Sequence, residues 1–263
     1  MAISPLLSPA FGALPTHLRE RLWQADALVQ TASSMASGFA VLDEQLPGGG
    51  WPTHGLTELL LAGPGIGELR LLAKPLATLS RGTRPIMIMA PGPLAGVQLY
   101  PDGWSQLGVD PARLLMIHTE TLADQLWAIE QALKSAACSA LLAWLPAIRP
   151  EALRRLQLAA ASGGDSLAFL FRAATLRQEG TPATLRLLLE SGSAARLVVH
   201  LLKRRGPILE RPLYINLEEP RPWRTRPSRR APSTIDRAVR LRHAMDRPLL
   251  PDTGTRLHPA PTA

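Results

Sequence analysis

The chain has one cysteine, Cys138, in 263 residues. That excludes an internal disulfide framework and any zinc site built from several cysteines, and it makes a reducing cytoplasm the expected location. Aromatic residues make up only 5% of the chain, so a core has to be built mainly from Leu, Ala and Val. No apolar run reaches the roughly eighteen residues a membrane helix needs, and no Lys/Arg-led apolar stretch opens the chain. Neither a membrane span nor export is expected. What is present is a hydrophobic content of 46%, enough for one substantial domain with appendages.

Charge is unevenly placed. The net charge of +8 comes from the end of the chain: residues 1–202 hold 15 basic and 15 acidic side chains, and residues 203–263 hold 14 and 6. From Pro220 onward there are eight prolines in 44 residues, which predicts a largely disordered tail over 218–263 with helical spacing only at Ser233–Met245. A basic tail on a neutral body suits nucleic acid or an acidic protein face. Within it, Trp223, Arg224, Arg226, Arg229 and Arg230 interleave an aromatic with guanidinium groups, a pattern for phosphate contact with base stacking or for a protein groove.

Residues 1–37 form an N-terminal arm. Leu18, Leu22, Ala25 and Leu28 fall at helical spacing over His17–Val29, and a small-residue linker runs from Thr31 to Ser37. The stretch 38–217 reads as an α/β core. Apolar segments over 55–61, 85–90, 114–117, 139–145 and 167–171 are predicted strands; 69–80, 121–136 and 150–161 are predicted helices, and 98–107 has helical spacing broken by Pro101. That alternation predicts a mostly parallel sheet flanked by helices. Strands over 184–190, 196–203 and 213–217 have short links, with Ser191-Gly192-Ser193 the clearest turn, and are expected as antiparallel additions at the sheet edge.

The first core strand runs into Gly63-Pro64-Gly65-Ile66-Gly67-Glu68-Leu69. In a working phosphate loop, glycines let backbone N–H groups curl round phosphates, a Lys follows the last Gly, and a Ser/Thr hydroxyl holds Mg²⁺. Glu68 and Leu69 stand in those two places. Gly63, Gly65, Gly67 and Glu68 therefore make the shape of a nucleotide site without its chemistry, since a carboxylate repels a triphosphate. No catalytic residue, cofactor or metal is expected. Elsewhere Glu58 and Asp43 are single carboxylates with no inferable partner, His118 and His200 read as structural histidines at strand ends, and Trp127 reads as packing on its helix.

The order of elements and several motifs resemble the RecA ATPase core over about residues 33–217. The motifs are Ser37–Asp43, Gly48-Gly49-Gly50-Trp51-Pro52, Gly55–Leu59, Leu107–Leu115, and the late strand ending in Lys203-Arg204-Arg205-Gly206. The catalytic parts depart from that family. Pro91 stands where it carries a water-activating glutamate, Trp144 where a Walker B aspartate would steer Mg²⁺, and Arg172 where a glutamine senses the γ-phosphate.

A degenerate RecA-like chain with a basic, Pro-rich tail resembles the ImuA family. The resemblance implies a non-catalytic accessory protein of translesion DNA synthesis in the SOS response. It would bind an ImuB-like protein, bring in an error-prone DNA polymerase III α-subunit paralogue indirectly, and contact RecA or DNA. Lys203, Arg204 and Arg205 would touch DNA phosphates or a neighbouring subunit, as late-strand lysines do in RecA-like assemblies. The same core is similar to SulA, the division inhibitor that binds FtsZ, over Ala140–Leu145, Glu151–Leu153 and Ala168–Arg172. SulA-like chains generally lack the Gly38–Pro52 lead-in and the late edge strands, so ImuA is the closer resemblance. An ATPase of altered design and plain DNA binding through the tail are the remaining alternatives.

Overall fold

A computed structural model describes residues 33–89, 101–193, 195–206 and 209–217. The arm helix expected over 17–29, Pro91, and the tail with Trp223, Arg224, Arg226, Arg229, Arg230 and Ser233–Met245 lie outside the described residues.

The apolar segments form one eight-stranded sheet in the order β10-β9-β8-β3-β7-β6-β4-β5. Its strands are β3 (Leu56–Leu61), β4 (Ile86–Met89), β5 (Leu114–Ile117), β6 (Ala140–Trp144), β7 (Leu167–Ala173), β8 (Leu185–Ser191), β9 (Arg196–Lys203) and β10 (Leu213–Asn216). A separate antiparallel pair, β1 (Ser34–Met35) with β2 (Trp51–Pro52), precedes it. Strand β3 lies between β7 and β8, with Leu56, Leu59 and Leu60 fully buried. Thr57 and Glu58 are buried in it as well, so the strand is covered on both faces.

One edge expectation is corrected. Strand β8 pairs parallel with β3, and only β9 and β10 are antiparallel to their neighbours in that part of the sheet. The chain leaving β7 crosses over through a 3-10 turn, Ala174–Gln178, rather than folding back as a hairpin. A crossover this short carries no apolar helical period, so the sequence pattern does not reveal it.

Six helices are described: α1 (Ala40–Asp43), α2 (Glu68–Leu71), α3 (Ala73–Leu79), α4 (Pro101–Gln106), α5 (Leu122–Lys134) and α6 (Pro150–Ser162). The single helix expected over 69–80 is split at Leu72. Pro75 has no N–H to give to the carbonyl of Leu71, and its ring crowds that carbonyl. Thr121 caps α5 by accepting from the Asp124 N–H at 3.1 Å, and Pro150 opens α6.

The two sheet faces carry separate cores. Leu59, Phe169, Leu187 and Val199 pack with Trp51 and with Leu42, Leu71, Leu76 and Trp104 from α1 to α4. Leu141, Ala143 and Leu170 pack under Ile129 and Leu133 of α5 and Leu153 and Leu156 of α6. Among the described residues, no helix is long and apolar enough to cross a membrane.

Candidate functional site

Strand β3 delivers the glycine loop to the carboxyl edge of the parallel strands. Gly65 and Gly67 have φ of 72° and 108°, in the left-handed region that glycine enters without a Cβ clash. That turn points the N–H groups of Gly65 and Gly67 inward, and both donate to Glu68, at 3.2 Å to Oε1 and 3.1 Å to Oε2. Glu68 is only 7% exposed. The anion this loop is shaped to hold is its own carboxylate. A Cβ on Gly67 would lie 2.4 Å from Leu217 Cδ1, so the buried Leu217 side chain closes one flank of the loop, while Gly63 and Gly65 face open space. Leu217 reaches the loop because β10 runs in the same direction as β8 and ends at the same edge. The sequence carried no sign of that contact.

At the end of β6, Trp144 stacks on Phe171 with ring centroids 4.4 Å apart and planes inclined by 18°. An aromatic plate therefore lies at the carboxyl end of β6, where the RecA resemblance leads one to expect a metal-steering aspartate.

Arg172 is part of a buried ion cluster. Its Nη1 donates to Glu58 Oε1 at 2.5 Å and its Nη2 to Glu179 Oε2 at 3.3 Å. Arg186 Nε lies 2.9 Å from Glu58 Oε2 but out of line for a hydrogen bond, so that contact is Coulombic. The Arg186 guanidinium also donates to the carbonyls of Leu176, Arg177 and Glu179 in the crossover. Glu58, fully buried, thus has two guanidinium partners where the sequence suggested none. They meet because Glu58 is in register with Arg186, and Arg172, opposite Leu60, emerges on the same face of the sheet.

Lys203, Arg204 and Arg205 are not brought to the glycine loop. Strand β9 is antiparallel to β8, so its end lies at the amino edge of the parallel strands, opposite the loop. Lys203 Nζ donates to the Thr181 carbonyl at 2.8 Å, and Arg204 Nη1 to the carbonyl and Oε1 of Gln45 at 2.5 and 3.2 Å. Arg205 lines a cleft with Pro47, Pro52, His54 and Thr184. Asp165 Oδ1 lies 3.0 Å from His54 Nε2 and 2.9 Å from the Thr53 hydroxyl. The Thr53 hydroxyl, followed by Ser33 and the charges of His54 and Arg84, holds the Asp165 carboxyl below its ordinary range against the opposing effect of burial. Sequence reasoning missed His54 and Asp165, which are brought together only by the fold.

Three further residues differ from expectation. Asp43 is partnered, accepting from the Ser37 and Gly38 N–H groups at 2.7 and 3.3 Å. His200 sits within β9, 2.8 Å from Glu190 Oε2, because residues 190 and 200 lie on adjacent strands and the same face. Trp127 is 63% exposed on α5 instead of packed, since it points away from the side carrying Ile129 and Leu133. His118 is exposed just after β5.

No family model matches the chain, and no curated protein matches it. The fold and the loop together define an α/β protein built round a glycine turn whose anion-binding N–H groups are taken up internally.

Proposed function

We propose that the chain is a RecA-like scaffold without nucleotide chemistry, an accessory protein of translesion DNA synthesis of the ImuA kind. The observation that carries this reading is the bonding of Glu68 to the loop N–H groups of Gly65 and Gly67. A triphosphate entering the loop would have to break both bonds and approach a carboxylate at close range. No Lys or hydroxyl follows Gly67 to compensate.

The sheet supports the RecA-like part. The loop-bearing strand is the point where the chain switches sides: β4 to β7 are laid out on one flank of β3, and β8 to β10 on the other. Open α/β sheets place their ligand crevice at such a switch. The described lead-in over 38–52 and the edge strands β9 and β10 favour the ImuA resemblance over the SulA one. In this role the core offers surfaces to an ImuB-like protein, and the basic tail reaches RecA or DNA.

The test is affinity capture from lysate of damage-treated cells, using the full chain and a chain ending at Leu217, with an ATPase assay alongside. Recovery of an ImuB-like protein or RecA without turnover is the expected result, and dependence on the tail would place a contact there. Recovery of FtsZ alone would move the assignment to a division inhibitor. Turnover of ATP would overturn the reading of the loop.

A further inference from the structure

The two edges at which the sheet strands end differ in charge, which the neutral count of the body hides. Strand direction sorts the turns: those that precede the parallel strands, with the end of β9 and the start of β10, share the amino edge. One flank of that edge holds Lys203, Arg204 and Arg205 at the end of β9 and Arg211 just before β10; the other holds Arg81 and Arg84 before β4 and Arg113 before β5. The Asp110 N–H donates to the Ser80 hydroxyl at 3.2 Å and ties the turns of Arg81 and Arg113 together. Arg81, Arg113, Arg205 and Arg211 are exposed and, among the described residues, have no hydrogen bond or ion pair. Lys203 donates to a backbone carbonyl, and Arg84 donates to those of Ala136, Cys138 and Asp165, so it covers carbonyls just past the end of α5. The acids at this edge are Asp110, Glu210 and Glu44, the last beside the Gln45 that Arg204 contacts; Asp165 is taken up by His54 and Thr53. At the carboxyl edge, by contrast, Arg70, Arg149 and Arg196 are matched by Glu120, Asp124 and Glu151.

We infer that the amino edge of the sheet binds the phosphate backbone of duplex DNA. Between the two cation groups lie five strand spacings from β9 to β4 and seven from β10 to β5, about 24 and 34 Å at about 4.8 Å each. One turn of duplex returns a backbone to the same side after about 34 Å, so the two groups reach phosphates one turn apart while the middle of the edge faces a groove. The side chains of the turns select the partner. Among the described residues, no exposed large apolar side chain lies in the turns that carry the cations, whereas the core of a protein interface is built on such side chains. Residues 80–85, 110–113 and 203–211 contain no aromatic side chain, and single-stranded nucleic acid is held by stacking its bases on aromatic rings. What fits is a stiff, regularly charged polymer held by cations alone. The site is built from the core, at the edge opposite the glycine loop, and from other residues than the contact proposed for the tail.

The test is made in the full chain, so that the tail is the same throughout. Fluorescence anisotropy of a labelled DNA duplex of about twenty base pairs, two turns, is followed against salt concentration. The chains compared are the unaltered one, Arg205→Ser with Arg211→Ser, Arg81→Ser with Arg113→Ser, and the carboxyl-edge pair Arg149→Ser with Arg196→Ser, with circular dichroism as the check on folding. Each amino-edge pair is expected to make the slope of log affinity against log salt shallower by about 1.8, which is about 0.9 for each lost phosphate contact. The carboxyl-edge pair is expected to leave the slope unchanged. Equal slopes in all four chains would place DNA binding on the tail alone and overturn the inference. The same loss in all three altered chains would mean that only net charge matters, and a loss confined to one flank would mean that the duplex does not span the edge; either result overturns it. So would tighter binding of the single strand than of the duplex. Absence of duplex binding at low salt would also overturn it, and would leave an acidic protein as the partner of these cations.

Discussion

Glu58 is fully buried between two guanidinium groups and has no water to fall back on. Removing it leaves Arg172 and Arg186 charged in the interior, which is the costly direction for a buried pair. Glu58→Leu is expected to lower stability by about 3–5 kcal/mol in urea unfolding, and Arg172→Leu added to it should recover part of the loss. A cost below about 1 kcal/mol would mean that the cluster is hydrated. The carboxylate and Arg172 are 114 residues apart in sequence, so no local pattern could have paired them. Glu68 is the contrasting residue. Its place after Gly67, where a phosphate loop carries Lys, is plain from the sequence, but its turning back onto Gly65 and Gly67 depends on backbone angles that sequence spacing does not specify.

Elements meet more tightly than their sequences announce. Where α5 and α6 end, a Cβ on Gly163 would lie 1.8 Å from the Leu133 carbonyl oxygen. Gly163 has an ordinary φ of −85°, so the demand for glycine there is purely one of space. Gly163→Ala must push apart two helix ends fixed on the sheet and is expected to cost about 1–3 kcal/mol in thermal or urea unfolding. Gly180→Ala, with open space where its Cβ would go, is the comparison and should be close to neutral. A neutral Gly163→Ala would mean that the helix ends separate freely. Strand and helix identities were legible where periodicity was strong: Leu114–Ile117 and Arg196–Lys203 form at the predicted bounds. The split at Leu72 was also written in the sequence as Pro75, although the apolar spacing on either side hides it. The parallel direction of β8 was not, because direction depends on which neighbour a strand finds.

At the scale of the molecule, Cys138 reports whether the core is closed. Burial pushes its thiol up from its ordinary value of 9.0 to about 11, with the Arg84 charge opposing. Between those values the unfolded chain releases the proton first, so this thiol makes stability fall as pH rises through that window. At pH 8 the folded thiol stays protonated and out of reach, and alkylation by iodoacetamide has to pass through opening of the fold. Mass spectrometry is expected to show protection in the full chain and faster modification in Glu58→Leu. Modification of the folded chain at the rate of a free thiol would contradict the closed core.

Composition and periodicity by themselves determined the α/β class, the neutral body with its basic end, and the Glu68 and Leu69 that follow Gly67 in place of a Lys and a hydroxyl residue, because each is a matter of residue type and local spacing. Only the tertiary structure decided that Glu68 fills its own loop, that Leu217 rests on Gly67, that Glu58 joins Arg172 and Arg186, and that Lys203, Arg204 and Arg205 lie at the edge opposite the loop. The bonds of Glu68 follow from the local backbone angles of the loop; the other three facts follow from strand order and strand direction. They are set by which distant segments pack together, and no stretch of the chain encodes them alone.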